Sequence, residues 1–187
     1  MVFPIIEQYT NTECTDYAEQ VNLYYVIIIT LDIAIRNNDT KKITDLLCDG
    51  IVDLTTALAR SVLNDNIGIV ELLLYLFDAD PIQALMFSVY YNNIHMAQYL
   101  LNSGVNPNES DQNGKYPLIV ASVITKNVEM VELLLKCGAV PSLKNRSGKT
   151  LIEVVENEKI KNLLIEQENK FKDEMERLIT WTPQNTL

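Results

Sequence analysis

Histidine, paired cysteines and positive charge are all scarce in this chain, and each scarcity removes a class of function. His95 is the only histidine. No serine, cysteine or carboxylate stands at helical spacing from it, so it reads as a solvated turn residue rather than a general base. Cys14, Cys48 and Cys137 are odd in number, far apart, and form no Cys-x-x-Cys pair. A Cys/His zinc site is not expected, and free thiols in a reducing compartment are. Cys48 and Cys137 occupy matching places in the repeat described below, which favours a packing role for both. Lys and Arg number 15 against 25 Asp and Glu, for a net charge of −10. A phosphate-backbone binder needs a basic stripe, and an anionic membrane attracts one. Neither nucleic acid nor membrane is therefore expected as a partner. The longest apolar run, Leu23–Leu31, is too short to span a bilayer, and Asp32 follows it. Met1-Val2-Phe3-Pro4 carries no basic segment of a secretory signal, so the expected location is cytoplasmic, with the nucleus as the alternative. The glycosylation-like triplets starting at Asn38, Asn108 and Asn145 then mean only turns. Asn113-Gly114-Lys115 lacks the glycine spacing of a phosphate loop, and Glu153, Glu156 and Glu158 look like a charged helix surface. The chain shows no enzyme motif, and no cofactor or metal is expected.

What is present is a repeat. Gly104 and Gly138, and likewise Gly114 and Gly148, lie 34 residues apart in similar phrases. Four apolar runs recur: Ile43–Leu47, Val70–Leu74, Ala97–Leu101 and Val131–Leu135, at steps of 27, 27 and 34. Each follows another apolar helical stretch: Leu31–Ile35, Ala57–Leu63, Ala84–Tyr90 and Leu118–Ile124. Asn and Asp stand between the two stretches, at Asn37-Asn38-Asp39, Asn64-Asp65-Asn66, Asn92-Asn93 and Asn127. These residues leave one helix readily and cap the next. The pattern predicts helix–turn–helix four times, then a shortened, more polar unit from Thr150 through Leu164 that serves as a cap. Connectors of the first half, Asp49–Leu54 and Asp78–Pro81, are short. Those at Asn106–Tyr116 and around Arg146-Ser147-Gly148 are long and predict finger-like hairpins. Repeats of this kind hide their apolar faces only against neighbours.

These residues resemble ankyrin repeats. The family phrase Gly-Ala-Asp-Pro-Asn is matched by Gly104-Val-Asn-Pro107-Asn108. Asp-x-x-Gly-x-Thr-Pro-Leu-His is matched by Asp111-Gln-Asn-Gly114-Lys-Tyr-Pro117-Leu118, and the Val-Val-x-Leu-Leu-Leu run by Met130-Val131-Glu-Leu133-Leu134-Leu135. The match is strong over 82–152, fair over 30–81 and weak at both ends. Tyr116 and Ile119 replace the family Thr and His of the fourth repeat, and Leu151 and Glu153 replace Pro and His of the fifth unit. Losing the Thr–His tie at the start of the first helix should weaken a repeat without changing its shape. The Ala121–Val128 turn is one residue longer than the family pattern. Divergent arrays of this type are common among viral, protist and intracellular-bacterial proteins. The resemblance implies an all-α ankyrin-like repeat solenoid with β-hairpin loops in the C-terminal half. Its organisation would be an N-terminal capping segment over 1–28, the array over 29–166, and a C-terminal helix and tail over 167–187.

The resemblance also implies a non-enzymatic protein-binding module, with an inhibitor or decoy of a cytosolic signalling protein as its most specific form. Partners of such arrays contact hairpin tips and exposed ends of first helices. By position these are Tyr90, Tyr91, Gln112, Asn113, Lys115, Tyr116, Val123, Ile124 and Arg146, with Lys149 beside the last. Tyr90, Tyr91, Tyr116 and Ile124 could form one aromatic strip, and tyrosine is enriched at binding hot spots. The alternative is that Tyr90 and Tyr91 fill the space left by the absent hairpin at Asp78–Pro81. Ile160, Leu164, Phe171, Met175 and Leu178 form an amphipathic stripe. It either folds against the last repeat or mediates self-association through Phe171, Met175 and Leu178, as an assembly subunit would.

Overall fold

A computed structural model describes residues 17–142 and 148–180 of the chain; the side chains of residues 17–21, Leu178 and Thr180 lie outside that description. The described residues are helices joined by turns, with no β-strand among them. In order they are α1 (Tyr17–Arg36), α2 (Thr40–Cys48), α3 (Leu54–Leu63), α4 (Ile67–Leu76), α5 (Pro81–Tyr90), α6 (Ile94–Asn102), α7 (Pro117–Ile119) running into a π turn (Val120–Ile124), α8 (Val128–Lys136), α9 (Leu151–Val154) and α10 (Glu158–Thr180). Chain contacts divide these into two compact units, residues 1–100 and 101–187. α1 runs unbroken through the expected boundary at residue 28, and α10 through the one at 166.

In the first unit, Asn and Asp set most of the helix ends. Asn38, Asp65 and Asn92 end the first helices of three repeats with φ of 53°, 54° and 55°. This left-handed region is one that Asn and Asp reach at small cost. The next residue, Asp39 or Asn66, caps the second helix by accepting from Lys42 N or Ile69 N. Asn93 accepts from Met96 N in the same way. Asp53 and Asp80 cap α3 and α5, and Pro81 sits where its missing N–H costs nothing. Between the helices lie Leu31, Ile35, Leu58, Val62, Leu85 and Val89 from the first helices, and Ile43, Val70, Leu73, Met96 and Leu100 from the second, all fully buried.

Asparagine also holds successive repeats in register. Asn66 uses its amide oxygen as a cap, and its Nδ2 donates to the Ile35 carbonyl (2.6 Å) and to Asn38 Oδ1 (2.8 Å). Asn93 repeats this one step on, donating to the Val62 carbonyl (2.9 Å) and to Asp65 Oδ1 (3.0 Å). Both carbonyls end a first helix and already accept one turn N–H, from Asn38 N (3.2 Å) or Asp65 N (3.1 Å), so the asparagine fills the remaining lone pair. One side chain thus closes a helix start and the helix end of the preceding repeat. The outer faces are tied by the Tyr99 hydroxyl donating to Glu71, and by His95 Nδ1 against Asp65 Oδ2 at 2.8 Å. His95 is exposed, but it stands in the first turn of α6 against a carboxylate thirty residues back that helical spacing could not show.

In the second unit Leu118, Val120, Met130, Val131 and Leu134 bury against one another and against Leu151, Ile160 and Leu164. Asn127 caps α8 through Met130 N. Asn108 pins the preceding loop to the following one: Val140 N donates to its Oδ1 (2.8 Å), and its Nδ2 donates to the Gly138 carbonyl (2.9 Å). The expected hairpin at 106–116 is a tight turn without flanking strands. Asp111 carries it, accepting at Oδ1 from Asn113 N (2.9 Å) and Lys115 N (2.8 Å), while Asp111 N donates to the Lys115 carbonyl. Side-chain oxygens of Asp111 and Asn106 take backbone donors that a ladder would otherwise use. The second expected hairpin, around Arg146, lies outside the described residues. Glu153 compensates for the lost family histidine: Thr150 N donates to Glu153 Oε2 (2.7 Å), forming a capping box at the start of α9. Cys137 is half-buried, but Cys48 is exposed, so packing accounts for only one of the pair.

Asn66→Asp and Asn93→Asp keep a good capping oxygen and remove the two donated bonds. Each should cost about 2 kcal/mol in urea unfolding. A loss below about 0.5 kcal/mol would mean that the amide does not join the repeats.

Candidate protein-binding surface

One surface position of the first helices in unit one follows the repeat step, exposed at the first and half-buried at the next two. Ile33, Arg60 and Phe87 occupy equivalent places, 27 residues apart, and Ile29 and Tyr91 lie four residues from the first and last of them on the same helix faces. Ile29 is 55% exposed, Ile33 54% and Tyr91 42%. Phe87 is half-buried and stacks on Tyr91, with ring centroids 6.1 Å apart and an interplanar angle of 14°. Tyr91 also closes α5, its N–H bonding the Phe87 carbonyl. Arg60 sits between the isoleucine and the rings. Its Nε donates to Asp32 Oδ1 at 2.7 Å, and its Nη2 donates to Asp32 Oδ2. That bond chiefly, opposed by partial burial, raises the guanidinium pKa above its ordinary value, with Tyr91 and Tyr24 adding smaller electrostatic support. The charge is thus held in place on an otherwise apolar face. Arg36 donates to Asn64 Oδ1 at 2.9 Å, tying α1 to α3 at the edge of the same face.

Tyr90 is half-buried, and it engages other groups in the structure. The two tyrosines foreseen as a pair therefore divide: Tyr91 faces solvent and Tyr90 is partly inside. Arg60, Phe87 and Ile33 were missed by the sequence reading. The 27-residue step could have found them, since it puts all three in one row.

In unit two, Gln112, Asn113 and Lys115 are exposed on the Asp111 turn, and Gly114 takes φ of +71° at its tip. Tyr116 is half-buried at the start of α7 and makes no side-chain cap. Val123 is half-buried and Ile124 52% exposed, both on the π turn. Arg146 lies outside the described residues. The extra residue of the Ala121–Val128 segment explains the π turn. The capping residue reaches back five places in the first three repeats: Asp39 N to Ala34 O, Asn66 N to Ser61 O, and Asn93 N to Ser88 O. In the fourth it reaches back six, Asn127 N to Ala121 O. Widening one turn takes up the insertion, a device common at functional sites. It strands one hydroxyl. Ser61 and Ser88 are buried and donate to carbonyls four residues back, each at 2.8 Å. Ser122 is equally buried and its Oγ has no partner among the described residues.

Among the described residues no cluster of His, Cys, Asp and Glu could hold a metal ion, and no helix is long and apolar enough to cross a membrane. The comparison with protein families gives the class. The model for ankyrin repeats in three copies matches residues 54–145 and 85–175. The chain belongs to the ankyrin-repeat family, whose repeats are in general protein–protein interaction modules. No curated protein matches the chain.

Ser122→Ala should raise stability by about 1 kcal/mol in thermal or urea unfolding, because it removes a buried unsatisfied hydroxyl. Ser61→Ala and Ser88→Ala should each lower it by about 1 kcal/mol. Equal losses at all three positions would mean that Ser122 is hydrogen-bonded in solution.

Proposed function

We propose that this protein binds a partner protein through preformed surfaces: the exposed first-helix face of unit one and, in unit two, the Asp111 turn with Ile124. The observation that carries the reading is the Phe87–Tyr91 stack beside a neutralised Arg60. Aromatic and arginine side chains held rigidly at a surface are what binding hot spots are made of. Little side-chain freedom remains to be lost on docking, because the stack and the Asp32 pair already fix the rings and the guanidinium. The action is steric: the bound partner is blocked or localised, as an inhibitor or decoy of a cytosolic signalling protein would do. No chemical step is assigned to the chain, and no nucleic acid or membrane to its partners.

A second reading is favoured by α10. Its Ile160 and Leu164 are buried, but from Lys172 to Arg177 every residue is exposed. Met175 is 55% and Ile179 75% exposed, and Phe171 is half-buried. The distal turns do not fold against the last repeat. Self-association through Phe171, Met175 and Leu178 would cover them, making the protein a subunit of an assembly.

Tyr91→Ala should weaken partner binding by about 2 kcal/mol, measured by titration calorimetry, with a far smaller change in melting. An equal loss in stability would make Tyr91 a core residue. Met175→Asp should abolish any concentration-dependent dimer seen by light scattering. A monomer at every concentration in the unaltered chain removes the assembly reading.

A further inference from the structure

The first-helix face of unit one selects one kind of occupant by its charge. The acidic excess of the chain is unevenly placed. Residues 1–100 hold thirteen acidic against four basic residues, whereas residues 101–187 hold twelve against eleven. On the face itself, the two arginines are already engaged, Arg60 with Asp32 and Arg36 with Asn64. At the N-terminal ends of α3 and α5 stand Asp53, exposed, and Asp80, half-buried, each two helical turns before the half-buried Arg60 or Phe87 of its own helix. Apolar surface from Ile29, Ile33, Phe87 and Tyr91 is thus bordered by carboxylates, with no uncommitted cation beside it among the described residues.

We infer that the occupant is a basic amphipathic helix of another protein, its apolar stripe on Ile33, Phe87 and Tyr91 and its lysines or arginines against Asp53 and Asp80. This rests on the reading of that face as the partner site. Apolar contact supplies the affinity, while rim charges supply orientation, a faster on-rate and sensitivity to salt. An acidic helix would gain the same apolar contact but be repelled by the two capping carboxylates, and a neutral one would gain nothing from their charge, which is how such a face discriminates.

The test uses the full chain and a labelled amphipathic helix of leucine and lysine as probe, followed by fluorescence anisotropy, with a leucine–glutamate helix as its counterpart. Saturable one-to-one binding of the first and none of the second is expected. Ile33→Ser, at an exposed position, should weaken it roughly tenfold. The double substitution Asp53→Asn and Asp80→Asn keeps both helix caps, because asparagine caps as well as aspartate. It should weaken binding and flatten its salt dependence. Asp39→Asn with Asp45→Asn removes the same charge elsewhere and should change neither. Equal weakening by both pairs would show diffuse attraction to an acidic protein and overturn the inference. So would an unaffected Ile33→Ser variant, binding that begins only after residues 1–16 are removed, or a dimer that the peptide dissociates. These last two would give the face to the chain's own N-terminal segment or to a second copy. A natural partner lost from Tyr91→Ala but held by the Asp53, Asp80 variant keeps the face and rejects the basic helix. One held by Tyr91→Ala rejects the face itself.

Discussion

The first unit depends on one asparagine per junction. A stacked repeat has two weak places, the open end of one helix and the open start of another, and both carry unsatisfied backbone groups. Asn66 and Asn93 answer both at once, with the oxygen on their own helix and the nitrogen on the repeat before. Aspartate or serine would cap as well but could not donate in the same way. Because the register is set at this edge, the opposite demands on the first helices are relaxed. Their buried sides hold leucine, isoleucine, valine and alanine, and the outer position varies among Ile33, Arg60 and Phe87.

Where the repeat pattern is broken, the structure absorbs the break locally. The additional residue before Asn127 widens a turn of α7 into a π turn rather than moving α8, and leaves Ser122 Oγ unpaired and Ile124 exposed. The lost histidine of the last unit is answered by Glu153. Both cases show the same order of strength. The apolar contacts of Leu118, Met130 and Leu134 fix where the helices lie, and the polar backbone groups adjust around them.

Much of this was legible in the sequence because spacing and turn chemistry are local. The runs at Ile43, Val70, Ala97 and Val131, and the Asn and Asp residues between helices, placed the turn inside each helix pair, but not the start of α1, which begins fourteen residues before Leu31. Gln112, Asn113, Lys115 and Ile124, read as tip and helix-end positions, are exposed, and Tyr91, left open between surface and core, is exposed too. Less was legible where burial depends on neighbours from other repeats. Tyr90 and Tyr91 are adjacent and chemically identical, and only the packing of α5 separates them. The capping role of Glu153 needed a helix start that the family pattern marks with other residues. Strands beside Gly114 are absent among the described residues, where Asp111 and Asn106 bind backbone amides of Asn113 and Asn108. Arg60 is not marked by its own neighbours in sequence, because its partner Asp32 comes from the preceding repeat.

The claim that a single amide joins neighbouring repeats is tested most directly by hydrogen exchange on Asn66→Asp. The account predicts that protection falls together on both sides of the junction, in the last turn of α1 and in α4. Loss confined to the first turn of α4 would contradict it, and would reduce Asn66 to a helix cap.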